Sequence, residues 1–171
     1  MRRWLGRKRV AAGMLLSAVC LAQSGTSHSA NLGGAAALQR EFFHIIRRGE
    51  ATKFLSYVPE QGINVGPQAE HAARSAVEQQ FLHHSGLYCK LFDSSCVQAP
   101  IKLDASARAC SYREALTHSE KVRTAATETV RSGVRQAIVV AEVNDDQCPN
   151  LRLIDFIFNY EQDGWKLFSV P

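Results

Sequence analysis

Apolar residues recur along this chain with two different periods, and the change falls near His118. In the first part, Leu38, Phe42, Ile45 and Ile46 stand at i, i+4, i+7 and i+8. That spacing lays one apolar stripe along a helix starting at Ala35, and Gly49 is placed to end it. A second short amphipathic helix covers residues 51–58 and stops at Pro59, and Gly62 to Gly66 reads as an extended piece between breakers. Ser75 and Glu78 have the spacing of a capping box, opening a helix that runs through Phe81 and Leu82 to about Ser85. Residues 87–92 read as a brief apolar extended segment. Ile101 and Leu103 follow Pro100, and Asp104 or Ser106 is placed to cap a helix carrying Ala109, Tyr112, Arg113 and Leu116.

After His118 the period shortens to 2. Residues 122–130 alternate, and Arg131-Ser132-Gly133 has the form of a three-residue hairpin loop with glycine in the left-handed position. Residues 134–143 are rich in β-branched side chains, 144–150 form a polar loop with Pro149, and 151–160 make a strand apolar on both faces in its middle. Asp163-Gly164 signals a further hairpin, and 165–170 closes the sheet. The fold class is α+β, with N-terminal helices packed on a curved C-terminal antiparallel meander. Strands apolar on both faces imply that both faces are covered. Helices serve on one side, and a pocket, a partner or the curl of the sheet on the other.

Composition fits this picture. The 171 residues, 46% hydrophobic and 21% charged, suffice for one domain with a real core and exclude a disordered, collagen-like or multi-span membrane chain. The net charge of +4 changes meaning once it is mapped. Arg2, Arg3, Arg7, Lys8 and Arg9 precede an uncharged apolar run from Val10 to Ala22, then small polar residues, which is the pattern of a secretory signal peptide. The expected division is a signal over 1–22, a flexible lead over 23–34 and a single domain over 35–171. Three variants stay open: a twin-arginine start at Arg2-Arg3, lipidation of Cys20, and an uncleaved single N-terminal anchor. Without 1–22 the chain keeps fifteen basic residues against sixteen acidic ones, a net charge of −1. No clustered positive surface remains to displace counterions from phosphates, so nucleic acid is excluded as a partner. The expected location is the periplasm or the extracellular space, with no stable membrane insertion after cleavage.

Four cysteines remain in that domain, and an even number in an exported chain points to disulfides. Three connectivities are allowed. Spacing favours Cys89–Cys96, bracketing the turn-like Asp93-Ser94-Ser95, together with Cys110–Cys148. A metal site has less support: there is no C-x-x-C and no histidine at finger spacing. His71, His83, His84, His44 and His118 form no H-E-x-x-H or H-x-H motif, so neither metal nor cofactor is expected.

The final hairpin, Phe158 to Leu167 with Asp163-Gly164-Trp165 at its turn, follows a helical first half. In this the chain resembles the nuclear-transport-factor-2-like (cystatin-like) superfamily of α+β cones. The phrase from Gly86 to Asp93 also resembles uncharacterised exported bacterial proteins of this size. The resemblance implies a cone-shaped sheet, and it transfers no chemistry, since that superfamily hosts isomerases, dehydratases, binding modules and assembly domains. The segment near 104–118 and the cysteine pairs depart from its core pattern.

In such a cone Asp155, which interrupts the alternation Leu151, Leu153, Ile157, would face the cavity with Asn159 and Tyr112 as partners. The structural alternative pairs it with Arg152, Arg135 or Arg113. Asn144 to Gln147 resembles half a calcium loop without its glycine and closing glutamate, and reads as a solvated hairpin tip. Two functions follow as expectations. One is a non-catalytic binding domain of the bacterial envelope that takes a small ligand or another envelope protein, or forms a homodimer through the sheet. The other is a small pocket enzyme doing isomerase-, dehydratase- or hydrolase-type acid–base chemistry through Asp155.

Overall fold

The computed structural model describes residues 34–98 and 109–171. The signal over 1–22, nearly all of the 23–34 lead, the segment with Ile101 and Leu103, and the caps expected at Asp104 and Ser106 lie outside the described residues.

Among the described residues, five α-helices and six strands follow in order. They are α1 (Ala35–Arg48), α2 (Ala51–Tyr57), β1 (Ile63–Val65), β2 (Glu70–Ala72), α3 (Arg74–Leu82), α4 (Leu87–Phe92), α5 (Tyr112–Thr117), β3 (Val122–Arg131), β4 (Val134–Val143), β5 (Leu153–Glu161) and β6 (Gly164–Val170). Helix α1 buries its expected stripe, and Gly49, at φ +70°, returns its N–H to the carbonyls of Ile45 and Ile46. This is the left-handed cap that the sequence called for.

Two helix starts differ from expectation. Helix α3 begins at Arg74, so Ser75 lies inside it and caps nothing. Glu78 instead accepts from Arg74 Nε at 2.8 Å, while Arg74 also donates to the Val58 carbonyl at 2.7 Å. With Glu60 also 3.3 Å from its Nη1, the arginine holds three groups at once and fixes the first turn that a serine would have capped. Residues 87–92 are helical, not extended. Six apolar-rich residues cannot be assigned by periodicity, and here helical spacing sends Leu87, Leu91 and Phe92 into the core together. Helix α5 takes its cap from Ser111, which accepts from the Glu114 N–H at 3.3 Å.

The sheet is six-stranded and open, in the order β2-β1-β6-β5-β4-β3. Strands β3 to β6 form the expected antiparallel meander. Strand β1 pairs parallel to β6, Asn64 beside Ser169 and Val65 beside Val170, so the sheet is mixed rather than wholly antiparallel. Sequence patterning missed this because β1 and β2 have three residues each, too few to show a period. Gly62 leads into β1 at φ +89°, where a Cβ would stand 2.1 Å from the Ala72 carbonyl oxygen. The β3–β4 turn has two residues, not three: Ser132 and Gly133 both have positive φ, 51° and 78°, the form whose twist suits a tight hairpin.

All five helices lie on one face. Phe42 is fully buried, with its ring centroid 4.8 Å from those of both Phe156 and Phe158 and 5.6 Å from that of Phe54. Phe54 stacks on Phe81, which meets Phe92 edge-on. The space between helices and sheet is filled by these rings together with Ile46, Leu116, Val139 and Ile154. Both expected disulfides form, each with Cα atoms 5.3 Å apart. Cys110 and Cys148 are buried, whereas Cys96 is exposed.

Two outcomes follow. Phe42→Ala should cost about 3–5 kcal/mol in urea unfolding, as expected for emptying a packed phenyl site, whereas Leu153→Ser should stay within about 0.5 kcal/mol as a surface change. Under native conditions a thiol reductant should open Cys89–Cys96 before Cys110–Cys148, read by alkylation and mass mapping. Opening of the long-loop bridge, worth about 4 kcal/mol on the chain-entropy model, ahead of the exposed short-loop one would contradict this assignment.

Candidate functional site

Side chains alternate across a strand, so burying Ile154, Phe156 and Phe158 against the helices turns Leu153, Asp155, Ile157 and Asn159 to the opposite face. The pairing registers assemble that face into rows. One row crosses all six strands: Thr127, Ile138, Ile157, Ser169, Asn64, His71. The rows flanking it are Ala125-Val140-Asp155 and Thr129-Gln136-Asn159-Lys166. Ile138, Val140 and Ile157 are half-buried, and Leu153 is 58% exposed at the margin. The face is therefore apolar in the middle and polar toward β1 and β2. No described helix packs on it.

Strand β6 breaks its alternation where it crosses this face. Ile157 pairs with Ser169 but Phe158 with Leu167, which leaves Phe168 as an extra residue. Such a bulge re-aims a side chain. Phe168 is 41% exposed and forms one wall of a cavity of about 200 Å³ shared with Gln61, Asn64, His71, Asn159 and Glu161. Gln61 donates to Glu161 at 3.2 Å, and Gln136 donates to Asn159 Oδ1 at 2.8 Å. Sequence patterning missed this pocket, since a register shift leaves no signature in composition.

Asp155 is partly buried on this open face, in the row with Val140. The structure does not join it to the partners named for it. Asn159 bonds Gln136, and Tyr112 packs on Phe156 from the helix side and donates to the Pro171 oxygen at 3.2 Å. Burial, and then the charge of Asp155, push the Tyr112 hydroxyl well above its ordinary pKa. Arg135 lies over the rings of Tyr160 and Trp165 and pairs with Glu128, while Arg113 donates to the Arg47 carbonyl at 3.3 Å.

The residues read as a solvated tip hold the other notable cluster. Asp145 is inaccessible to solvent. His118 Nδ1 lies 2.6 Å from its Oδ2, Lys121 Nζ 2.9 Å from its Oδ1, and the Gln147 N–H 3.0 Å from Oδ1. A carboxylate only accepts, so the Nδ1 proton resides on the ring. The hydrogen bond from His118, then those from Lys121 and Gln147, hold the carboxyl far below the usual carboxylate range. The sequence signal was present but divided, since His118 and Lys121 lie more than twenty positions from the loop they grip. His118 borders a shallow groove with Ser94, Ser111 and Glu114. Both hydroxyls are engaged, Ser94 donating to Glu114 and Ser111 capping α5. The cluster thus acts as a clamp joining the 144–150 loop to the entry of β3, and it lacks the nucleophile–base contact of a hydrolytic site.

His83 is the C-cap residue of α3, and His84, which follows it at φ +48°, stacks on Tyr88 with ring centroids 4.2 Å apart. Among the described residues no group of three or more His, Cys, Asp or Glu side chains is placed to hold a metal ion, and no helix is long and apolar enough to cross a membrane. Comparison with known proteins finds no matching family model, curated protein or solved structure.

The clamp has a pH signature. Because the folded-state pKa of Asp145 is depressed, its contribution is complete above the ordinary value of 3.8 and is lost as pH falls below it. Asp145→Asn should lower stability at neutral pH, and the gap to wild type should narrow steadily below pH 3.8 in acid–urea unfolding. A gap independent of pH would show that the carboxylate charge is immaterial.

Proposed function

We propose that this chain is a non-catalytic binding domain of the bacterial envelope, and that it presents the open face of its sheet to a ligand or to another envelope protein, a second copy included. One observation carries the reading. The interior is filled by phenylalanines, while the opposite face leaves Ile138, Val140, Ile157, Leu153 and Phe168 in a polar frame. Apolar surface grouped in this way marks an interaction site more often than scattered exposed residues do. The two disulfides suit an oxidising compartment and so support export. The order of helices followed by a sheet ending in Asp163-Gly164-Trp165 supports the nuclear-transport-factor-2-like reading of the fold. In this chain the space between the helices and the sheet is packed rather than hollow, which favours binding on the open face over acid–base chemistry at Asp155.

The test is site-specific photocrosslinking in the native cell, with the photoreactive residue placed at position 153 on the face or at position 82 on α3. Leu82 is 71% exposed and lies on the helix side, so it serves as the control. Crosslinks to a discrete species from 153 and not from 82 support the reading. Equal labelling from both positions, or none from 153, removes it.

A further inference from the structure

We propose that the cavity beside Phe168 is a binding site for one ring of a neutral saccharide. This deepens the reading of the open face as a binding surface and rests on it. The cavity, about 200 Å³, is walled by an exposed phenyl ring and by three carboxamides, an imidazole and a carboxylate. Its polar groups are set in place by the fold. Asn64 and His71 are a directly opposed pair on β1 and β2. Asn159 is oriented through Gln136, whose donation to Oδ1 leaves the Asn159 NH₂ as the donor end. Glu161 accepts from Gln61 through one oxygen and keeps a second as acceptor.

This chemistry selects among ligand classes. A phosphate or carboxylate ligand would meet Glu161, and the cation of that region, Lys166, is already paired with Asp163 at 2.8 Å. A purely apolar ligand would bury the amides and the carboxylate without hydrogen bonds, which opposes its binding. A sugar ring satisfies both demands. Its hydroxyls donate and accept, matching carboxamides and a carboxylate, while its C–H face lies on the phenyl ring. The bulge in β6 is what makes this arrangement available, because regular alternation leaves no extra residue between Leu167 and Ser169 to wall the cavity.

The experiment is a titration of the ¹⁵N-labelled chain with methyl glucopyranoside, N-acetylglucosamine and their β-1,4-linked trimers. Saturable shifts confined to Asn64, His71, Asn159 and Phe168 are expected, with a dissociation constant on the order of millimolar for a single ring. Tighter binding of the trimers would assign the site to a glycan chain, and equal binding to free monosaccharide; either outcome supports the proposal. Phe168→Ala should weaken binding about tenfold or more while the remaining resonances stay in place, and Leu82→Ser, on the helix side, should leave binding unchanged. Absence of a saturable shift with every probe up to about 50 mM, or binding unaltered in Phe168→Ala, overturns it. If crosslinking from position 153 persists in that case, the face remains a binding surface and only the saccharide assignment falls.

Discussion

The contact of Phe42 with Phe156 and Phe158 is the one on which the rest of the domain depends. A sheet apolar on one face must have that face covered, and α1 is the helix laid across β3, β4 and β5 to cover it. Phe42 meets the two sheet rings at 4.8 Å, and also meets Phe54 and Tyr57 of α2. From Phe54 the ring contacts continue through Phe81 to Tyr88 and Phe92, so every helix before the first disulfide loop is reached from this one side chain. Because the helices seal the core on that side alone, no described helix packs on the opposite face of the same sheet.

A second set of ties holds the far end. Cys110–Cys148 and the Asp145 clamp both grip the 144–150 loop, one covalently and one through charge-assisted hydrogen bonds. Asn150 adds two further contacts, accepting from the Cys110 N–H at 2.9 Å and donating to its carbonyl at 3.0 Å. A seven-residue polar loop thereby becomes a fixed part of the framework. The cavity beside Phe168 lies at the other side of the sheet, so the clamped loop and the cavity are separate.

Much of this was legible in the residues themselves. The stripe of α1, the cap at Gly49, the four long strands and both cysteine pairs follow from periodicity, turn chemistry and compartment. What escaped was of three kinds. Very short elements carry no period, which hid β2, the parallel pairing of the extended piece that became β1, and the helical state of 87–92. Long-range neighbours outweighed local signals at Ser75, displaced by the arginine that ties α3 to Val58, and at Asp145, whose polar surroundings suggested solvent although His118 and Lys121 enclose it. Register shifts, finally, are properties of strand pairs rather than of segments, so nothing in the sequence around Phe168 announces the bulge. Asp155 shows the reverse case. It was conspicuous as a carboxylate among apolar residues, and alternation alone, once β5 is anchored by Phe156, carries it away from the packed interior.

The parallel pairing of β1 with β6 also sets an order of events during synthesis. A ribosome delivers β1 long before its neighbour β6 exists, whereas β3 to β6 are joined by short connections and can pair as each one emerges. Closing so long a loop before any reward from contacts is slow. The β1–β2 hairpin must therefore wait for the meander and dock onto it last. The wall around Phe168 is shared between that late hairpin, with the residues leading into it, and strands β5 and β6, so the pocket is among the last features to form, and occupancy of it would mark the completed fold.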